Sequence, residues 1–416
     1  PYIFKMEFLL DYIGVLRQMR GIARFAWLFY YMMNILVFYW LWKWSQKENH
    51  IAIKTLVTGL AFLTILYDAW LFNKGRQTWY NNEIPMLSGD YHQEWIDKVK
   101  GNRYQAIIPI PYFNVGSENL WIEPQHCNSM VSTFIVSQKT GLPTNGVMLS
   151  RTSISQCYKN IQLTQEAYRT PEVLKDCKDT RPFLIVTSGC PEYTDIENSI
   201  LAMSVFVDSS ATFRLYEIPF EKLLHASESL YEKAEEEIQS EILFKYNEVL
   251  STNELQDFAI RNFEEMNSEK AYYSSGAFTG ELSNWNTIFD DTIPNCTTNE
   301  EYLVSFWYGN IHTDVQLRSN LILAYYDANG NPLNEDWIGL HSTVKILDNN
   351  WALCEVKFRI KDPKGKFKIV LRNQQIRKGE LLVDNLLIRP LSTDIFQTTE
   401  NSISRNNRIY FRGNKE

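Results

Sequence analysis

The chain has 416 residues, a formal charge of −8 at neutral pH and a sequence pI near 5.5. An acidic chain without clustered Lys and Arg binds phosphate backbones poorly, which excludes a nucleic-acid partner. The apolar fraction of 45% is ordinary, so the membrane-embedded part is small, and the length allows two or three domains with their own cores.

Residues 3–19 place apolar side chains at helical spacing between charges, the pattern of an amphipathic helix on a membrane surface or against other helices. Two apolar stretches of 18 residues follow, at 25–42 and 55–72, separated by a polar linker at 43–54. As helices each is about 27 Å long, close to the roughly 30 Å hydrocarbon core of a bilayer. Trp40, Trp42 and Trp44 crowd one end and Trp70 and Trp79 another, as side chains at headgroup level do. The reading is a transmembrane helical hairpin within a membrane region at 1–82, with the lipid bilayer as partner. Asp68, the acid inside a span, sits about one turn from Phe72 and reaches the interface easily. Lys43, Lys47 and Lys54 are outnumbered by Arg17, Arg20, Arg24, Lys74 and Arg76, so a positive-inside count puts the linker outside. The chain opens on Pro1 without a signal-peptide pattern, and further membrane helices are expected upstream.

From residue 83 the composition is that of a soluble domain. Short apolar runs at Tyr104–Ile110, Phe183–Thr187 and Phe213–Ile218 predict strands, and Gln93–Val99, Ser129–Thr140 and Glu197–Phe206 predict helices between them. That order gives a small α/β domain at 83–224. Its polar turns carry no recognisable catalytic motif. Gly116-Ser117-Glu118 lacks the context of a nucleophile elbow, His126 and Cys127 are adjacent and have no third group, and Cys190 closes a strand-to-turn junction. The six cysteines have no regular spacing, which argues against metal ligation and leaves the redox compartment open.

A linking helix is expected at 225–255, with the acidic run Glu232–Glu241 as its solvated face. Residues 256–392 alternate aromatic and β-branched runs with turn signals, which reads as an all-β domain; its clearest strands are Tyr302–Tyr308, Leu321–Tyr326, Trp351–Ile360, Phe367–Leu371 and Leu381–Ile388. Asp327 to Asn331 reads as a hairpin turn, and 393–416 as a polar tail. Four tryptophans, Trp285, Trp307, Trp337 and Trp351, are candidate sugar platforms. Strand alternation puts Trp307 in a run apolar on both faces and therefore in the core. Trp285 and Trp337 sit among Asn, Asp and Gly in expected loops and are the ligand-binding candidates.

Two resemblances add to this. Gly21-Ile22-Ala23-Arg24-Phe25 and Pro109–Glu118, with a weaker match at Arg181–Leu223, resemble the C-terminal part of polytopic bacterial membrane proteins of the GT-C glycosyltransferase type. The resemblance covers about the first half of the chain. It implies a cell-membrane protein of envelope glycan assembly, a glycan or lipid-linked sugar as partner, and extracytoplasmic soluble domains, against the positive-inside count. The catalytic acid of such enzymes lies in an early loop, so no catalytic residue is carried over and enzyme activity stays open. Asn262-Phe263-Glu264, Tyr273–Gly280, Tyr302–Trp307 and Val383–Ile388 resemble a carbohydrate-binding-module jelly roll, a β-sandwich. That resemblance implies a structural Ca²⁺ held by Glu264 and Asp384 with carbonyls of the Ser-Gly loop, a donor set of hard oxygens. The expected function is the non-catalytic C-terminal portion of a glycosyltransferase-like protein. The alternative is a membrane-anchored, non-enzymatic binding or scaffold protein; a hydrolase with an accessory module has least support.

Overall fold

The structure is a computed structural model that describes residues 22–47, 50–80, 94–99, 102–116, 122, 128–149, 153–190, 192–266, 268, 270–273, 275–312, 317–373 and 379–412. The chain forms two compact units, Pro1–Tyr91 and His92–Glu416. The amphipathic segment at 3–19, Ser117 with Glu118, and His126 with Cys127 lie outside the described residues.

Among the described residues, the first unit carries the helices α1 (Ile22–Lys47) and α2 (Ile51–Tyr80). The expected hairpin of two spans is corrected here. Among the described residues one helix is long and apolar enough to cross a membrane, Ile51–Lys74, with a mean hydropathy of 1.6. The α1 sequence is rich in Tyr and Trp, whose polar tips favour the interface over the hydrocarbon and lower its average. None of the apolar window of Ile51–Lys74 is buried, whereas a core helix of a soluble protein would be covered by protein. Within α2, Thr55 and Thr64 donate their hydroxyls to the carbonyls of Ile51 and Leu60 at 3.0 and 2.9 Å, so these two hydroxyls are satisfied within the helix.

The second unit opens with α3 (Glu94–Lys98), then β1 (Ile107–Ile110), β2 (Asn114–Gly116), α4 (Ser129–Thr140), β3 (Val147–Leu149), α5 (Ile154–Gln162), α6 (Glu172–Lys175) and β4 (Phe183–Ser188). It continues through α7 (Asp195–Ala202), β5 (Val205–Ser209), β6 (Phe213–Ile218) and α8 (Phe220–Leu224). The sheet order is β1-β4-β6-β5, with β1 parallel to β4 and the other pairs antiparallel. All six residues of β4 are buried, as in a strand covered on both faces. Local chemistry sets the helix ends. Thr194 and Glu197 form a reciprocal capping box on α7, and Gly141, at φ 72°, closes α4 in the left-handed conformation.

Next come α9 (Leu230–Ser240), β7 (Phe244–Tyr246) and β8 (Val249–Ser251). The linking helix expected at 225–255 is therefore shorter and is followed by a hairpin, whose turn uses Asn247 at φ 53°. The sandwich follows with β9 (Ala259–Arg261), β10 (Phe278–Glu281), β11 (Asn286–Asp291), β12 (Glu301–Gly309), β13 (Asn320–Tyr326), β14 (Pro332–Gly339), β15 (Val344–Asp348), β16 (Trp351–Arg359), β17 (Phe367–Arg372) and β18 (Glu380–Pro390). One sheet has the order β10-β18-β12-β16-β15, with β9 also on β18; the facing sheet is β11-β17-β13-β14. Between them lie Tyr302, Val304, Phe306 and Tyr308 from β12, with Leu321, Leu323, Ile369 and Leu371 from the opposite sheet.

Residues 393–416, expected as a polar tail, carry β19 (Ile395–Thr398), β20 (Ser402–Arg405) and β21 (Arg408–Phe411). These join β8 and β7 in a five-stranded sheet. The polar composition hid five buried apolar residues: Ile395, Phe396, Ile403, Ile409 and Tyr410. Ile403 and Tyr410 pack with Tyr231 of α9 and with Trp307, which explains why both faces of β12 are apolar. Trp307 is fully buried, stacked on Tyr272 with centroids 3.8 Å apart. The α/β layer and the sandwich also share a core. Tyr112, Cys157, Tyr158 and Ile161 belong to the same buried cluster as the sandwich strands.

Candidate functional site

The sheet β11-β17-β13-β14 buries alternate residues inward, so its other residues form an outward face. Ile322 pairs with both Val370 and Trp337, and Asn286 pairs with Leu371, which sets Trp285 across from Arg372. Paired residues in antiparallel strands share a face. Trp285, Arg372, Val370, Ile322 and Trp337 therefore stand on the outward face together. Ile322 and Val370 are only 2% and 5% exposed although they face away from the core, so bulky neighbours close over an apolar floor.

Two of those neighbours meet. The rings of Trp285 and Trp337 lie 5.8 Å apart at 84°, forming a corner, and remain 55% and 46% exposed. The guanidinium of Arg372 stacks 4.4 Å from the Trp285 ring centre, and its Nε donates to the Ser283 carbonyl at 3.4 Å. Trp337 Nε1 donates to Glu335 Oε2 at 3.2 Å. The turn that carries Trp285 is pinned by Asn286, whose Nδ2 donates to the carbonyls of Glu281, Asn284 and Leu371. Asn286 fits only because position 280 is glycine, where a Cβ would fall 2.1 Å from Asn286 Oδ1. The result is a rigid pair of aromatic faces bordered by a guanidinium and a carboxylate. Such a corner can stack on the apolar face of a pyranose and hydrogen-bond its hydroxyls.

Both tryptophans singled out from the sequence are thus brought together, although Trp337 lies on a strand and not in a loop. Trp307 and Trp351 are drawn inward, packed against Tyr272. Sequence reasoning missed Arg372 and Glu335. Their signal was alternation: in Phe367–Arg372 and Pro332–Gly339 they fall on the same parity as the outward residues.

Glu264 and Asp384 have different fates. Asp384 is fully buried, and its carboxylate accepts from the backbone N–H of Tyr272 (2.9 Å), Tyr273 (3.3 Å) and Asn385 (2.8 Å). Glu264 sits beyond the end of β9 in a short 3-10 turn, exposed to solvent. The two are near in the chain's register, because β9 pairs with β18 through Arg261 and Leu386. Gly276 packs on the same turn, with a virtual Cβ 2.2 Å from the Phe263 carbonyl. Amide hydrogens face both oxygens of Asp384, and the Ser-Gly loop whose carbonyls complete the expected calcium site includes Ser274, which lies outside the described residues. Among the described residues no group of three or more His, Cys, Asp and Glu is placed to hold a metal. In the α/β layer, Cys190 is disulfide-bonded.

No family model matches the chain. No curated protein matches it either. Among solved structures, the CBM22-1 xylan-binding domain of Paenibacillus barcinonensis Xyn10C is similar at 15% identity, over 36% of this chain and 85% of that one, with a TM-score of 0.21. The C-terminal CBM6 of LamC, a marine laminarinase from Zobellia galactanivorans, matches at 10% identity, over 32% and 98%, with a TM-score of 0.20. Tailspike protein 4 of bacteriophage CBA120 matches at 12% identity and a TM-score of 0.20; the match covers 35% of this chain and a fifth of the tailspike's length (20%). The neighbours thus include carbohydrate-binding modules. Scores this low carry no weight for function, and the sandwich rests on the strand ladders described above.

Proposed function

We propose that the chain is a membrane-attached glycan-binding protein whose sandwich takes sugar at the Trp285–Trp337 corner. The observation that carries this reading is the corner itself: two large aromatic rings, distant in sequence, rigidly paired, perpendicular and about half exposed. Burying such rings is worth several kcal/mol of transfer free energy, so leaving two of them exposed together marks a binding surface. The span at Ile51–Lys74 supports attachment to a lipid bilayer. The disulfide at Cys190 supports an extracytoplasmic, oxidising location for the second unit. Anchor and sugar platform on one chain are the combination needed to hold an envelope glycan or a lipid-linked sugar at a membrane. In the finer reading, this is a non-catalytic part of a glycosyltransferase-like assembly protein.

The test is titration of a panel of oligosaccharides against the detergent-solubilised chain while tryptophan fluorescence is followed. At least one glycan is expected to give a saturable change. Trp285→Ala and Trp337→Ala should each weaken it by about tenfold or more, the scale of one lost aromatic contact. A flat response across the panel removes the proposal.

A further inference from the structure

A cavity of about 280 Å³, open to solvent on one side, lies at the seam between α5 and the sandwich loops, and the tryptophan corner takes no part in it. Tyr158, Lys159 and Glu172 line it from the α/β layer; His312, Asn349 and Asn350 line it from the sandwich. The walls are fixed to each other. Tyr158 is 4% exposed, and its hydroxyl donates to the Ile311 carbonyl at 3.2 Å. The His312 ring lies 5.4 Å from that of Tyr158, making an aromatic wall, and the backbone N–H of His312 donates to Asn350 Oδ1 at 3.3 Å. Lys159 is held by Asp176 at 2.9 Å, and its charge also acts on Glu172, so the cluster of one cation and two carboxylates disfavours an anion.

Other groups on the lining are uncommitted. Among the described residues, the Glu172 carboxylate, the His312 ring nitrogens and Asn350 Nδ2 make no hydrogen bond of their own. They offer an acceptor pair, an ambivalent ring and a donor beside an aromatic face. A carboxylate can accept from two neighbouring hydroxyls at once. The matching ligand has adjacent hydroxyls on a compact apolar ring, carries no negative charge, and is small, since the volume lies just under the range of drug-sized sites. We infer that this seam cavity is a second binding site, for a single neutral hexose-sized sugar. The inference does not rest on the tryptophan corner.

The experiment is saturation-transfer NMR on the full chain in a non-glycosidic detergent, with D-glucose, D-galactose and D-mannose as probes. It is run on the Trp285→Ala/Trp337→Ala background, so that the corner contributes nothing. Transfer to at least one sugar is expected. Glu172→Gln and Asn350→Ala should each weaken the apparent affinity about tenfold, with melting temperatures within a degree or two of the parent. Glu172→Gln preserves size and is the variant least able to perturb folding. No transfer to any of the three sugars, or transfer that both variants leave unchanged, overturns the inference.

Discussion

Asp384 holds three backbone amides from a position with no solvent access, so its loss strands buried donors. Asp384→Ala orphans those N–H groups and is expected to destabilise the second unit by about 3 kcal/mol or more, read by thermal melting. Because amides already satisfy this carboxylate, a chelator should leave the wild-type melting temperature unchanged. A rise on adding Ca²⁺ that Asp384→Ala abolishes would support the expected cation site. Asp257 gives the opposite case. It is 4% exposed, its Oδ2 accepts from Asn253 and Thr393, and its Oδ1 has no partner. Burial pushes its carboxyl above the usual range. For an acid whose folded pKa is raised, ionisation costs stability at neutral pH. The cost disappears as pH falls through the folded value towards the unfolded one, about 4. Asp257→Asn keeps an acceptor oxygen and never ionises. Its melting temperature should exceed the wild type's at pH 7, with a gap that closes towards pH 4.

Arg408 is one of several side chains that latch the terminal strands β19–β21, beside Arg169, Trp307 and Arg405. Arg408 forms a bidentate pair with Glu166 at 2.5 and 2.6 Å and a third bond to Glu355 at 2.7 Å, with only 15% of its side chain exposed. Arg408→Met leaves two carboxylates unpaired, which should cost about 3–5 kcal/mol and open 393–412 to trypsin. Adding Glu166→Met and Glu355→Leu should recover much of the loss, because the penalty comes from stranded charge more than from missing attraction. If 393–416 were a tail, Arg408→Met would be silent. These elements show what the sequence made legible. Long apolar or alternating runs such as Phe183–Ser188 and Trp351–Arg359 were readable because their burial pattern is their composition. The strands β20 and β21 were not. Each is four residues long, three of the four in β20 are polar, and the two are joined by a tight turn at Asn406 and Asn407, both at positive φ. The Asn-Asn pair was the available signal, outweighed by the polar average of the segment. At the candidate site, exposure of the two tryptophans was legible from their polar neighbours. Their meeting was not, because it depends on the order of four strands.

At the scale of the whole chain, the span and the second unit are expected to make separable demands on solvent. The full chain is expected to stay with membranes through an alkaline carbonate wash, whereas residues 92–416 alone should be recovered without detergent. Recovery of the full chain in the carbonate supernatant would remove the membrane attachment. Inside the second unit no such cut exists. Tyr158 and Ile161, from a helix of the α/β layer, are 4% and 1% exposed within the cluster that fills the sandwich. Modules that recombine between genes are those whose borders are linkers, so that each can be inherited without its neighbour. Here the border is a packed interior, and a crossover between residues 162 and 256 would leave both descendants with an open wound of aromatic surface. The α/β layer and the sandwich should therefore travel through evolution as one indivisible piece, gained or lost together.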